Sequence, residues 1–210
     1  DLNAQNIAKY SSHDVRLKDS RDYYSDISNE QIPVDSITLA LHTTIHILEN
    51  DKTGCYFSED NEDFLEESGI GKRIQAIDDL LRPNFTVHSS YDILFGSPNT
   101  TTPLRYHTNC RQFLCVTSGK IRVKMTPWKS TKYLHPYKDY EHYEFRSLVH
   151  PTHPSKCYMS DFEKTNFIDF EVNEGTTLYV PPYWWYSIIY LDDPSTFVCK
   201  TTYSTLMNSL

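Results

Sequence analysis

The chain has 210 residues, a net charge of −8 and 14% aromatic residues, with 16 Tyr and 10 Phe against 6 Gly. That length holds one good core and one domain, and the Tyr and Phe content favours half-buried strands over a helix bundle. The absence of any Lys/Arg cluster excludes general nucleic-acid binding, and no apolar run approaches the ~20 residues that span a bilayer.

Taken along the chain, residues 1–33 are polar, with one strand-like alternation at Asp14–Lys18. From a cap at Asp35 or Ser36, the residues Ile37, Leu41, Ile45 and Leu48 recur as one face of an amphipathic helix. Gly54–Phe57 reads as a strand. The acidic run Glu59–Glu67 reads as a solvated face. Lys72–Leu81 carries Ile74, Ile77 and Leu81 on a second helical face, stopped before Pro83.

After Pro83 the texture becomes β. Phe85–Ser89 and Tyr91–Phe95 read as two strands, followed by a turn at Gly96-Ser-Pro-Asn. Gln112–Val116 and Lys120–Met125 flank Thr117-Ser-Gly119 and read as a hairpin. The stretch 127–160 is rich in Pro, His and Tyr and has no clear period. Phe167–Val172, Thr176–Val180, Tyr186–Leu191 and Phe197–Tyr203 read as strands, with a turn at Glu174-Gly175. Many short strands, with the helices gathered at the front, predict an antiparallel barrel or sandwich under a helical cover.

Five scattered cysteines, at 55, 110, 115, 157 and 199, form no C-x-x-C pair, which argues against a zinc ribbon or a thioredoxin site. They read as free thiols of a reducing compartment. His42-Thr-Thr-Ile-His46 spaces two imidazoles as a zinc-protease helix would, but Thr43 stands where the glutamate is needed, so ordinary satisfied histidines are expected. His135, His142, His150 and His153 fall in the long insertion and read as loop histidines. The chain reads as a soluble domain of unknown compartment; it begins at Asp1 rather than Met, as a chain would from which an upstream targeting or anchoring segment had been removed.

The segment Gly96-Ser-Pro-Asn-Thr-Thr-Thr-Pro-Leu-Arg-Tyr-His107, with Phe113–Val123, Pro127, Gly175 and Leu178-Tyr-Val-Pro-Pro-Tyr-Trp-Trp185, resembles the cupin-like JmjC hydroxylases. These are Fe(II)- and 2-oxoglutarate-dependent oxygenases. The resemblance implies a mainly β chain with N-terminal helices and a double-stranded β-helix of the jelly-roll/cupin, JmjC-like type. It implies a single domain over 1–210, with a helical or mixed cover at 1–82 and the core at 83–205. The strings Pro181–Ile188 and Thr202–Asn208 also look like cupin-like proteins encoded by giant DNA viruses.

The family's motif Thr-Pro-x-His-x-Asp supplies two iron ligands, and a histidine after the Trp-Trp pair supplies the third. Here the histidine position falls on Arg105, the aspartate position on His107 and the last histidine on Tyr186. Counting back from Gly119 instead gives Tyr106 and Thr108, which restores neither ligand. Two imidazoles and one carboxylate hold Fe(II) with open positions, whereas Arg105 brings a fixed positive charge. His107 can still ligate, and Tyr186 could do so only as a phenolate, which an unperturbed Tyr pKa of ~10 makes costly. The family lysine that pairs with 2-oxoglutarate is Ile121 here, with Lys120 and Arg122 pointing to the opposite face. Thr102 matches a cosubstrate-contacting threonine, and Lys200 falls near a polar pocket position. Tyr183, Trp184 and Trp185 are expected as an aromatic wall or plug of the barrel mouth.

The resemblance with these substitutions implies a catalytically silent JmjC/cupin-like domain, a binding or structural module whose partner is a protein, with no cofactor. Two alternatives stay open. One is a Fe(II)/2-oxoglutarate-dependent protein or RNA hydroxylase with an atypical metal site on His107 and the insertion histidines. The other is a metal-free protein that holds a small carboxylate or phosphate through Thr102, Arg105, His107 and Lys200.

Overall fold

The computed structural model describes residues 4–24, 34–76, 78–140, 143–191 and 196–208. Ile77 and His142 lie outside these residues. The front of the chain holds α1 (Ala4–Ile7), β1 (Asp14–Asp19), β2 (Ile37–Ala40), α2 (Leu41–Asn50), β3 (Tyr56–Ser58), α3 (Glu62–Glu67) and α4 (Ile70–Gln75). Then come β4 (Thr86–Gly96), β5 (Arg105–Tyr106), β6 (Arg111–Ser118), β7 (Lys120–Thr126), β8 (Pro136–Asp139) and β9 (Glu144–Ser147). The short α5 (Met159–Phe162) precedes β10 (Ile168–Asn173), β11 (Thr177–Val180), β12 (Trp185–Tyr190) and β13 (Phe197–Thr205).

The strands form two sheets, ordered β11-β6-β13-β4-β3-β1-β2 and β10-β7-β12-β5-β9-β8. From β4 to β7 the chain changes sheet at every strand, and from β10 to β13 it does so again, pairing antiparallel with the first half. That alternation defines a double-stranded β-helix, as expected. Between the sheets lies an apolar core that includes Leu94, Leu114, Val116, Ile121, Val123, Ile188 and Val198. A second cluster, with Ile93, Phe95 and Phe197 from the outer face of β4 and β13, is covered by Leu41, Leu48, Phe64, Leu65 and Ile70 of α2, α3 and α4.

Several sequence expectations change. Ile37 does not begin a helix: it pairs with Leu17 in the β1–β2 ladder and is exposed, and the helix starts only at Leu41. An i, i+4 spacing cannot exclude a strand followed at once by a helix, and the edge of β1 decides it. The second helix stops at Gln75 instead of reaching Leu81. The two strands expected around Ser90 are one continuous β4. Most telling, β6 and β7 are not a hairpin. Ser118 pairs with Phe197 in one sheet and Lys120 with Asn173 in the other, so Gly119, at φ +75°, carries the chain across the barrel.

The N-terminal part is more than a helical cover, since β1, β2 and β3 extend the larger sheet beyond β4. The five cysteines carry free thiols. Among the described residues no helix is long and apolar enough to cross a membrane.

Candidate functional site: a barrel pocket built around an ion cluster

Lateral rows across the two sheets build the pocket. On the smaller sheet Met125, Tyr186, Arg105, Arg146 and Tyr137 stand opposite one another in register across β7, β12, β5, β9 and β8. On the larger sheet the rows Leu94–Val198–Val116, Asp92–Lys200–Leu114 and Ser90–Thr202–Gln112 run in sequence. The interior thus grades from hydrocarbon to charge to neutral polar groups, and the polar end opens as a cavity of about 470 Å³.

Arg105, at the family's first ligand position, is directly opposed to Tyr186, at its last. The Arg105 guanidinium lies 5.8 Å from the centre of the Tyr186 ring. It lines the cavity, but both prongs are taken by Glu59: Nη1 donates to Oε1 at 2.7 Å and Nη2 to Oε2. Lys18 Nζ donates to the same carboxylate at 3.1 Å and to Asp60 at 2.5 Å. Glu59 is buried, at 1% exposure. Burial alone would raise its carboxyl pKa, but Arg105 and Lys18 hold it well below the usual range.

The turn that delivers Glu59 follows β3 and is pinned from β4. Asp92 accepts the backbone N–H of Asp60 at 3.0 Å and of Asn61 at 2.8 Å, and Asn61 Nδ2 donates to the Ile93 carbonyl at 2.8 Å. Asp60 takes a left-handed φ of +61°, which aspartate tolerates. Lys200 then pairs with Asp92 at 2.9 Å from the neighbouring strand. Its burial opposes its charge, and Asp92 more than restores it, so the ammonium is held above its ordinary pKa.

His107 sits at 8% exposure, and its Nε2–H donates to the Val180 carbonyl at 3.0 Å. Burial, with Lys200 acting in the same direction, lowers its pKa to about 4, so the ring is neutral. Thr102 does not line the cavity. Its hydroxyl accepts the Ile188 N–H at 2.9 Å, and its carbonyl accepts Ser187 Oγ–H at 2.7 Å, so it stitches the barrel shut. Ile121 is fully buried core, while Lys120 and Arg122 point outward to Glu171 and Asp169, as alternation requires.

The three aromatics form no wall of this cavity. Trp185 is fully buried against Leu104, Tyr106, Leu134 and Phe145, with Nε1 donating to Thr131 at 2.8 Å. Tyr183 and Trp184 line a separate surface groove with Trp128. His42 and His46 are exposed on α2, and His42 Nδ1 lies 2.9 Å from the Ser11 carbonyl.

The residue types present do not fit a ferrous centre. A guanidinium cannot ligate, its charge repels a cation, and among the described residues no three His, Cys, Asp or Glu side chains converge. Glu59 is the functional-site residue that the reading of the acidic run misplaced. The signal was available: alternation from the core residue Phe57 turns residue 59 to the same interior face. Arg146 was missed too, and it lies in the insertion where no period was visible.

Fold and site together define a double-stranded β-helix whose polar pocket is lined by its own ion pairs. Residues 11–207 match the family described as the cupin-like domain, and the chain belongs to that family. It is similar to JmjC domain-containing protein D of Dictyostelium discoideum, 28% identical over 93 residues, which are 44% of this chain and 20% of that protein. It is also similar to a solved structure of E. coli YcfD, with a TM-score of 0.53 at 13% identity, covering 97% of this chain and 46% of that one. A second crystal structure, of the E. coli ribosomal oxygenase YcfD, gives 0.51 at 13% identity over 95% and 42% of the two chains. At such identities the likeness shows the fold alone. The chain spans about a fifth of the curated relative and less than half of the oxygenase chains.

Proposed function

We propose that this chain is a metal-free cupin-like binding module, in which an internal ion cluster occupies the pocket that oxygenases of this fold devote to iron. The observation that carries this reading is the two-pronged Arg105–Glu59 pair opposite Tyr186. A protein is the expected partner.

A buried carboxylate next to a guanidinium and an ammonium is stable only as a closed set, because each charge left alone would cost several kcal/mol of desolvation, about 3–5 when one partner is removed. Such a set favours a fixed scaffold over an exchangeable metal site. The oxygenase activity in the name of the E. coli relative is the alternative for this chain.

One experiment separates the two readings. The protein is purified with Fe(II) and 2-oxoglutarate, its metal content is measured, and succinate formation is followed. Substoichiometric iron and no succinate above a protein-free control are expected; stoichiometric iron with cosubstrate turnover sinks the proposal.

A further inference from the structure

The cationic side chains of the cavity wall are Arg16, Lys18, Arg105, Arg146 and Lys200. Among the described residues, all but Arg146 reach a carboxylate within 3.1 Å. The nearest described carboxylate oxygen to Arg146, from Glu144, is 3.9 Å from Nε, beyond hydrogen-bonding distance.

Arg146 is nevertheless buried, at 5% exposure, with its guanidinium carbon 4.9 Å from the centre of the Tyr23 ring and 4.7 Å from that of Tyr137. These two cation–π contacts hold the side chain in place, and its N–H edges are the groups that can meet a ligand. Nη1 donates one long bond to the Tyr23 carbonyl at 3.3 Å, and Nε has no hydrogen-bond partner. The Arg105 Nε and the Gln112 Nε2 also lack partners, and Gln112 is 3% exposed on the facing sheet. These orphaned groups are N–H donors, and buried donors of this kind need an acceptor.

We infer that the cavity binds a small planar carboxylate on the Nε edge of Arg146, with Gln112 as the neutral donor on the facing sheet. The inference rests on the metal-free reading of the same pocket. It moves the anion site away from Arg105 and Lys200, whose charges Glu59 and Asp92 already neutralise. A carboxylate suits the site better than a phosphate: the fork is planar, Arg146 is the one cation of the cavity wall with no hydrogen-bonded carboxylate among the described residues, and Asp35, Glu59, Asp60, Asp139 and Glu144 repel a second negative charge.

The test measures thermal stabilisation and the arginine Nε–H resonances of the intact chain in EDTA. Propionate and benzoate serve as free carboxylates, an acetylated and amidated glutamate as the side chain of a protein partner, and inorganic phosphate as the non-planar comparison. At least one carboxylate is expected to stabilise saturably and to shift an Nε–H signal. Affinity is expected to fall at least tenfold in Arg146→Met and in Gln112→Leu and to be unchanged in Arg122→Gln, an outward-facing control. Should Arg146→Met fail to fold, Arg146→Lys keeps the charge, loses the fork, and is expected to weaken binding similarly. Saturable binding by no carboxylate, equal binding by the Arg146 and Gln112 variants, or equal binding of phosphate overturns the inference and leaves the metal-free reading standing. Binding that appears only with added Mn(II) overturns both.

Discussion

Glu59 and Arg105 stand 46 residues apart in sequence and meet inside the barrel as a bidentate ion pair. One comes from the turn after β3, the other from the two-residue strand β5. The pair joins the N-terminal strands to the double-stranded β-helix in the wall of the pocket.

The cost of breaking this pair should be large and specific. Glu59→Gln leaves Arg105 buried without a counter-ion, and a loss of about 3–5 kcal/mol is expected. The double variant Glu59→Leu/Arg105→Met removes both charges, and Lys18 keeps Asp60. Urea unfolding should show the double variant more stable than Glu59→Gln. If it is less stable, the pair is not acting as a closed electrostatic unit.

Acid should weaken the fold through the same carboxylate. Glu59 and Asp78 are both held below their ordinary pKa. Burial opposes this in each; Arg105 and Lys18 overcome it for Glu59, and hydrogen bonds from Tyr91, Tyr203 and Arg82 for Asp78. A carboxyl depressed in the folded state stabilises above its unfolded pKa of ~4, and that contribution is lost as the pH falls through the folded value. The urea midpoint should therefore decline in two stages: from about pH 6.5, as the unfolded chain takes up protons at His107 and His150, whose folded pKa is lowered to about 4, and then more steeply below about pH 5 through the carboxylates. The decline should be shallower in Glu59→Gln and Asp78→Asn; an identical slope in both variants would refute the assignment.

Gly119 and Gly175 share a left-handed backbone but not an environment. A Cβ on Gly119 would sit 2.3 Å from Thr196 Oγ1 and 2.9 Å from its Cα, whereas Gly175 has nothing within 4 Å. Gly175→Ala should cost about 1–2 kcal/mol from φ alone. Gly119→Ala should cost at least about 1 kcal/mol more, because the backbone of the strand entry must also shift. Thermal melts of the two variants test the difference, and equal losses would show that the crossing between sheets is not tightly packed.

The missing donor set can be rebuilt. Arg105→His, His107→Asp and Tyr186→His together place two imidazoles and a carboxylate on positions that the β5–β12 register brings side by side. Titration with Co(II), followed by visible absorption, should show about one bound ion in the triple variant and none in the parent chain. Binding of equal strength by the parent would count against the metal-free reading.

The strands were largely legible in the sequence. Lys120–Met125 and Ile168–Val172 alternate apolar and polar side chains, and Gly96–Asn99 and Glu174-Gly175 mark turns where the structure has them. What failed was partner choice. Two strands three residues apart read as a hairpin because nearby strands usually pair, yet Gly119 sends them into opposite sheets. Ile37 failed similarly, since its spacing suits a helix until the edge of β1 is there to receive it.

The site divides along the same line. The identities of Arg105, His107 and Tyr186, and with them the departure from an iron-binding set, are fixed by the order of residues alone. The pairing of Arg105 with Glu59 and of Lys200 with Asp92, and the looser 3.9 Å approach of Glu144 to Arg146, were decided only by the tertiary structure. The reason is physical: a charge is neutralised by whatever lies within about 4 Å of it in a buried space, and neither distance nor burial is a property of a residue's neighbours in the chain.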